Sequence, residues 1–294
     1  MGDRTKIDWC DASWNPVTGC LHGCEYCYAR RIATRFCSNE HGKDDAGVAH
    51  PCTGDCKFCS ELDGYEFVGE TTRWNHNPSE TYPFGFFPTF HPHRLDIPKK
   101  WKKPRNVFVC SMADLFGAWV PEEWIRKVME ACRAAPQHRY LFLTKNPDRY
   151  DALEDAGIIR ETDRNFWLGS TVTVETRDKL HYSSTMHTFQ SCEPMLAPWP
   201  KAGKPNPVSA WHGWLPEWVI FGAETGNRKG KVVPEKAWVD NAVEMCRNMG
   251  AKVFMKESLR EIMGADFVQE FPWENTGQDE VQAFHGEAED GRTV

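Results

Sequence analysis

The pattern of apolar and polar positions changes character near residue 105. Beyond that point, short apolar runs end in polar residues and give way to stretches with helical spacing. Residues 106–110 run into Ser111 and Asp114, 139–143 into Thr144 and Lys145, and 165–169 into Ser170 and Thr171. Residues 188–192 then run into Glu193, 218–222 into Glu224, and 252–255 into Lys256. One helical stretch begins near Pro121 with acidic residues in its first turn and runs to about Ala135. Another runs from Pro234 to Met249 and is closed by Gly250. Strands alternating with helices predict a parallel sheet. Near-continuous apolar runs suit strands buried on both faces. Earlier strands are expected at 13–18 and 86–91, which brings the total to six to eight units. The expected fold is α/β, a partial or full (β/α) TIM-like barrel. Active sites of such barrels lie at the C-terminal strand ends, here Asp114, Lys145, Ser170, Glu193, Glu224 and Lys256. A strand must end in something polar, so each residue alone weighs little; six together point to a shared rim.

Residues 36–85 break the pattern, being rich in Gly, Pro, Asp, Asn, Thr and Cys with little periodicity. They predict a loop-rich insertion ordered by a metal, which splits the barrel into residues 1–35 and 86–273. Residues 197–216 predict a second long loop, and 274–294 an acidic tail that frays.

Composition narrows the class. The 294 residues are 40% hydrophobic, enough for a sizeable core, and carry a formal charge of -7. No apolar run approaches the ~20 residues of a membrane span, and Met1–Lys6 lacks the apolar region of a secretion signal. A soluble, cytoplasmic protein without membrane contact is expected. The chain has 12 cysteines, eight of them before residue 60. In a reducing compartment such clustering indicates metal ligands rather than disulfides. The acidic balance disfavours broad nucleic-acid binding, but local basic surfaces remain at Lys99–Arg105 and at Arg30, Arg31 and Arg35.

The chemistry concentrates in two cysteine sets. Cys20, Cys24 and Cys27 have C-x3-C-x2-C spacing between an expected strand and an expected helix. Three thiolates on one loop can hold three irons of a [4Fe–4S] cluster and leave the fourth open. The competing reading is zinc, completed by His22 or Cys10. Cys52, Cys56 and Cys59 repeat the spacing, with Cys37 upstream and His41 and His50 as alternative ligands. Four cysteines suit a fully ligated second cluster or a closed zinc site.

The first spacing, with Tyr26 just before its last cysteine, resembles the radical S-adenosylmethionine superfamily. The resemblance implies that the open iron binds the amino and carboxylate groups of S-adenosylmethionine. Reductive cleavage then releases a 5′-deoxyadenosyl radical, and Tyr26 helps hold the adenine. The segments at 13–20, 27–29, 91–95, 101–104, 111–116, 143–145, 191–194 and 222–226 resemble an uncharacterised, phage-associated radical-S-adenosylmethionine-like family. That likeness spans about residues 6–257 outside the insertion and implies fold and cofactor but no substrate. Members of that family often have a longer gap between the first two cysteines; here it is the three residues usual for the superfamily. The cysteine loop also resembles that of the spore photoproduct lyases, radical enzymes that repair a thymine lesion in DNA, an analogy only.

The rim divides by charge. Glu193 or Glu224 could receive the amino group of the methionine or the ribose hydroxyls. Ser111, Ser170 and Lys145 could meet its carboxylate or ribose, with Asp114 and Lys256 on the same rim. Cys192 alternates with Glu193 and is weighed as a hydrogen donor to a product radical against a buried structural thiol. Gly226–Lys231 fails the phosphate-loop pattern at Thr225 and Val232. The expected function is a radical enzyme acting on nucleic acid or a nucleotide, fed by a reductase or flavodoxin-type electron donor. The basic segment at 99–105 and 13 tryptophans available for base stacking support this substrate class. The alternatives are modification of a peptide or protein, and a non-catalytic zinc or iron–sulfur binding protein.

Overall fold

The computed structural model describes residues 5–36, 69–70, 82, 86–173, 180–198 and 216–274. The elements begin with β1 (Ala12–Trp14), β2 (Val17–Thr18), α1 (Tyr28–Phe36), β3 (Gly69–Glu70), β4 (Thr89–Phe90) and α2 (Ile97–Lys100). They continue with β5 (Asn106–Val109), α3 (Glu122–Arg133), β6 (Arg139–Thr144), α4 (Asp148–Asp155), β7 (Phe166–Thr171) and β8 (His187–Cys192). The last are β9 (Trp218–Phe221), α5 (Lys236–Asn248), β10 (Lys252–Met255) and α6 (Arg260–Met263).

Seven strands form one parallel sheet in the order β1-β5-β6-β7-β8-β9-β10, curled into a half-barrel with helices. The barrel is therefore partial. The strand expected at 13–18 divides at Asn15-Pro16. Proline has no N–H for the ladder, and Asn15 turns its side-chain oxygen to the Met112 N–H at 2.9 Å. β2 leaves to pair antiparallel with β4, which also pairs with β3, so the strand expected at 86–91 is no barrel strand. Cys37, Cys52, Cys56, Cys59, His41 and His50 lie outside the described residues, as do the tail beyond residue 274 and most of the loop at 197–216.

Strand alternation sorts the side chains into layers. Phe108, Leu141, Trp167, Phe189, Ile220 and Phe254 gather with Trp9 and Trp218 in one buried cluster inside the sheet. The intervening positions Val107, Val109, Tyr140, Phe142, Phe166 and Leu168 pack with Trp124, Ile125 and Val128 of α3. Val219, Phe221, Val253 and Met255 pack with Val239, Val243 and Cys246 of α5. Beside the inner cluster, Phe271 and Trp273 contact Trp218 at ring separations of 5.8 and 5.1 Å. Met255 N–H donates to the Val268 carbonyl and Glu270 N–H to the Val253 carbonyl, so this segment covers an edge of β10.

Candidate active site

A cavity of about 600 Å³ lies where the parallel strands end. Trp9 and Phe108 give it an apolar floor continuous with the inner core. Its walls are Cys20, Cys24, Tyr26 and Cys27 of the cysteine loop, Ser111 and Asp114 after β5, and Lys145 after β6. Thr171, Ser191, Glu193, Glu224 and Lys256 close the ring. The structure thus brings together every rim residue expected from the sequence except Ser170, along with the first cysteine set. It also adds Asp8, Tyr28, Thr171, Ser191 and Ser258, none of which the sequence reading assigned to the site.

Ser170 and Cys192 fail for one reason, the two-residue period of a strand. Ser170 points away from the cavity, and its hydroxyl accepts the His181 N–H at 3.0 Å. Its neighbour Thr171 faces in. Cys192 packs with Val172, Met195 and Val219 in the outer layer, while Ser191 and Glu193 line the cavity. Burial drives the Cys192 thiol far up. Cys192 lies in the outer layer and does not line the cavity.

The cysteine loop is fixed by backbone contacts before any ligand is considered. Gly19 N–H donates to the Met112 carbonyl at 2.9 Å and Cys20 N–H to the Phe86 carbonyl at 3.0 Å. Gly19 has φ +85°, and a Cβ there would sit 2.1 Å from the Phe87 carbonyl oxygen, so only glycine fits. At the other end, the Arg30 N–H points at the Cys27 sulfur at 3.3 Å, at the start of α1.

Asp114 joins the loop to the sheet. One carboxylate oxygen accepts from the Thr144 hydroxyl at 2.7 Å and the Phe116 N–H at 3.0 Å. The other accepts from the Lys145 N–H at 2.9 Å and pairs with His22 Nε2 at 2.7 Å. A carboxylate has about four acceptor positions, and all are taken. Asp114 lines the cavity and ties His22 and the loop to the sheet.

The other charges occur in pairs. Lys256 Nζ bonds Glu193 closely, and Gly222 makes room: a Cβ there would lie 3.0 Å from both the Glu193 and the Lys256 side chain. Arg228 grips Glu224 in a fork at 2.7 and 2.8 Å, a bidentate geometry. This guanidinium holds the Glu224 carboxyl below the usual carboxylate range. Lys145 Nζ donates to the Tyr26 hydroxyl at 3.3 Å. Burial raises the Cys20 and Cys24 thiols, and Lys145 opposes the rise at Cys24. Thiols that are neutral when empty fit a metal site, because a bound metal displaces their protons.

Among the described residues, the group of histidine and acidic side chains close enough to share a single ion is Asp151, Glu154 and His181, outside this cavity. The loop cysteines are not in so tight a group. Cys10 turns its thiol to the Ile7 carbonyl at 3.9 Å and does not line the cavity.

Two expectations about nucleic-acid contacts change. No described tryptophan is exposed; Trp9, Trp14, Trp124, Trp167 and Trp218 are core. Arg105 covers the Trp101 ring at 4.9 Å, so that ring is not open to a base. Exposed apolar groups instead flank the cysteine loop, at Leu21, Tyr28 and Ile32.

The profile of a family described as "Protein of unknown function (DUF5131)" matches residues 4–270. The chain belongs to that family. No curated protein matches this DUF5131 member. Among solved structures, a cysteine-to-serine variant of spore photoproduct lyase is similar at 9% identity and TM-score 0.43, covering 87% of this chain and 81% of that one. A cysteine-to-alanine variant with dinucleoside spore photoproduct is similar at 11% identity and TM-score 0.40, covering 82% and 75%. A double variant with bound AdoMet and the same photoproduct gives 10% identity and TM-score 0.38, covering 90% and 79%. Likenesses this slight carry no argument about this DUF5131 member, whose architecture rests on its own sheet. No helix among its described residues is long and apolar enough to cross a membrane.

Proposed function

We propose that this chain is a radical S-adenosylmethionine enzyme acting on a nucleic acid or nucleotide. The observation that carries the reading is the cavity wall. Among the described residues it has three thiols from one loop and no fourth, beside an aromatic ring and polar residues from the strand ends. Cys20, Cys24 and Cys27 would hold a [4Fe–4S] cluster with one iron free of protein. When bound, that cluster supplies the electron that cleaves S-adenosylmethionine to a 5′-deoxyadenosyl radical. The protein's part is to bind, orient and exclude water. Asp114 and His22 brace the loop. Lys145 braces Tyr26, which lies beside the cysteines as an adenine platform. Glu193 is the carboxylate for the amino group of the methionine moiety, and Lys256 sets its direction. Glu224 is held by Arg228 and the Val232 backbone and turns its remaining acceptor capacity to ribose hydroxyls.

The mouth favours a polyanion. Arg31 of α1 meets the loop after β9, where it bonds the Thr225 carbonyl at 3.4 Å, and Arg30 of the same helix lies over the Phe86 ring. That loop carries Lys229 and Lys231, both exposed. Tyr28, anchored by its hydroxyl to the Ser111 carbonyl at 2.6 Å, is partly exposed at the mouth and offers a face to a base.

Anaerobic reconstitution tests the chemistry. Under a strong reductant the protein is expected to convert S-adenosylmethionine to 5′-deoxyadenosine, and Cys27→Ala is expected not to. A bound cluster without cleavage refutes the enzyme reading, and zinc in place of iron after anaerobic purification favours the binding-protein alternative. Nucleic-acid action predicts DNA or RNA binding that weakens steeply with salt. It should fall further in Arg30→Gln/Lys229→Gln than in Lys100→Gln/Lys102→Gln.

A further inference from the structure

Away from the cavity, α4 and the segment entering β8 meet at a histidine between two carboxylates. The His181 side chain is 2% exposed. Its Nδ1 lies 3.0 Å from Asp151 Oδ1, and its Nε2 lies 3.5 Å from Glu154 Oε1. Nε2 and Glu154 Oε1 are both buried, and neither has a hydrogen-bond partner. The ring is fixed from two other sides: its backbone N–H donates to Ser170, and Tyr150 packs on it at 5.0 Å.

Charge makes the arrangement specific. Asp151 and Glu154 are three apart on α4 and so share a face. Among the described residues no lysine or arginine pairs with either, and Arg149 of the same helix spends its guanidinium on the Gly117 and Val120 carbonyls. When Asp151 accepts Nδ1–H, the neutral ring turns a lone pair at Nε2 toward the lone pairs of Glu154. Two buried acceptors facing one another are unfavourable unless a positive centre lies between them. A doubly protonated ring supplies one charge against two. A divalent cation with a neutral imidazole balances both.

We propose that His181 Nε2 and Glu154 bind a divalent first-row transition-metal cation, with water completing the shell. Asp151 is the positioning carboxylate that holds Nδ1–H and sets the tautomer, an arrangement common around metal-bound histidine. Ligand atoms about 2.0–2.2 Å from one ion lie roughly 3–3.5 Å apart in tetrahedral geometry, and 3.5 Å between Nε2 and Oε1 matches this. Imidazole and carboxylate together suit zinc, cobalt or nickel more than calcium. The bound ion ties α4 to the segment leading into β8 and so stabilises the half-barrel from outside.

Cobalt(II) titration of the full chain tests this, because its spectrum separates thiolate from nitrogen and oxygen ligation. The wild type is expected to show a visible ligand-field band besides sulfur charge transfer from its cysteine sets, and this band is expected to survive, without sulfur charge transfer, in Cys20→Ala/Cys24→Ala/Cys27→Ala/Cys37→Ala/Cys52→Ala/Cys56→Ala/Cys59→Ala. It should vanish in His181→Gln and in Glu154→Gln, while Asp151→Asn should bind about 10–100-fold more weakly. Cobalt should also raise the unfolding temperature of the wild type and not of Glu154→Gln. A wild type without the band, or a band unchanged in folded Glu154→Gln, overturns the proposal. Circular dichroism of each variant separates loss of ligand from loss of fold.

Discussion

Asp114 shows how much one side chain can organise. It is 5% exposed and satisfies donors from the β5 end, the β6 end and the cysteine loop. Asp114→Asn keeps the shape but sets an amide N–H₂ against donors, leaving buried groups unmatched at about 1–3 kcal/mol. The expected result is a lower unfolding midpoint in urea and reduced iron retention after reconstitution, while the fold persists by circular dichroism. Glu224 gives a pH-dependent counterpart. Arg228 depresses its carboxyl in the folded state, so its stabilising effect is complete above the ordinary value of 4.5 and is lost as pH falls below it. Glu224→Gln should therefore be less stable than wild type at pH 7, and the gap should narrow as pH falls below 4.5. A gap of constant size would show that the pairing contributes nothing.

The small sheet of β2, β4 and β3 is the element that most altered the expected layout. It is held at His91, whose Nε2 lies 2.9 Å from the Thr18 hydroxyl and whose N–H donates to the Pro16 carbonyl. Burial, aided by Arg94 and His93, pushes the His91 imidazole down to about 2. An unfolded histidine titrates at the ordinary 6.5. The unfolded chain thus binds the extra proton first, and stability falls as pH drops below 6.5. The slope contributed by this group is at most about 1.4 kcal/mol per pH unit. Stability measured from pH 7 to pH 5 should decline in the wild type and decline less in His91→Gln. This sheet also carries the start of the cysteine loop, so acidification is expected to loosen iron retention before global unfolding.

At the scale of the molecule, the inner face of the seven-stranded half-barrel is filled by aromatic rings. Trp9 precedes β1 and contacts Phe108 at 4.5 Å, Phe189 at 6.1 Å and Trp218 at 6.2 Å. It forms the boundary between core and cavity. Trp9→Ala should destabilise the protein by about 3–5 kcal/mol and enlarge the cavity downward. Calorimetry would reveal this, and an unchanged Tm would show that the sheet is closed without it.

Six strands after residue 105 were legible in the sequence because strands buried on both faces leave uninterrupted apolar runs. The three cysteines were legible because their spacing is local. What sequence could not supply was the face on which a strand-end residue lies. A shift of one position exchanges cavity for outer layer, so Ser170 and Cys192 gave way to Thr171 and Ser191. Sequence also could not show that Asn15-Pro16 breaks the first strand, because the partner of Asn15 is Met112, 97 residues away. The roles of charged rim residues were hidden for the same reason. Asp114 is tied to His22, Thr144, Phe116 and Lys145, and Glu224 to Arg228 and the Val232 backbone. Local order and metal-ligating chemistry are written in short-range spacing. Which polar group is left for a ligand depends on contacts that only the folded chain makes.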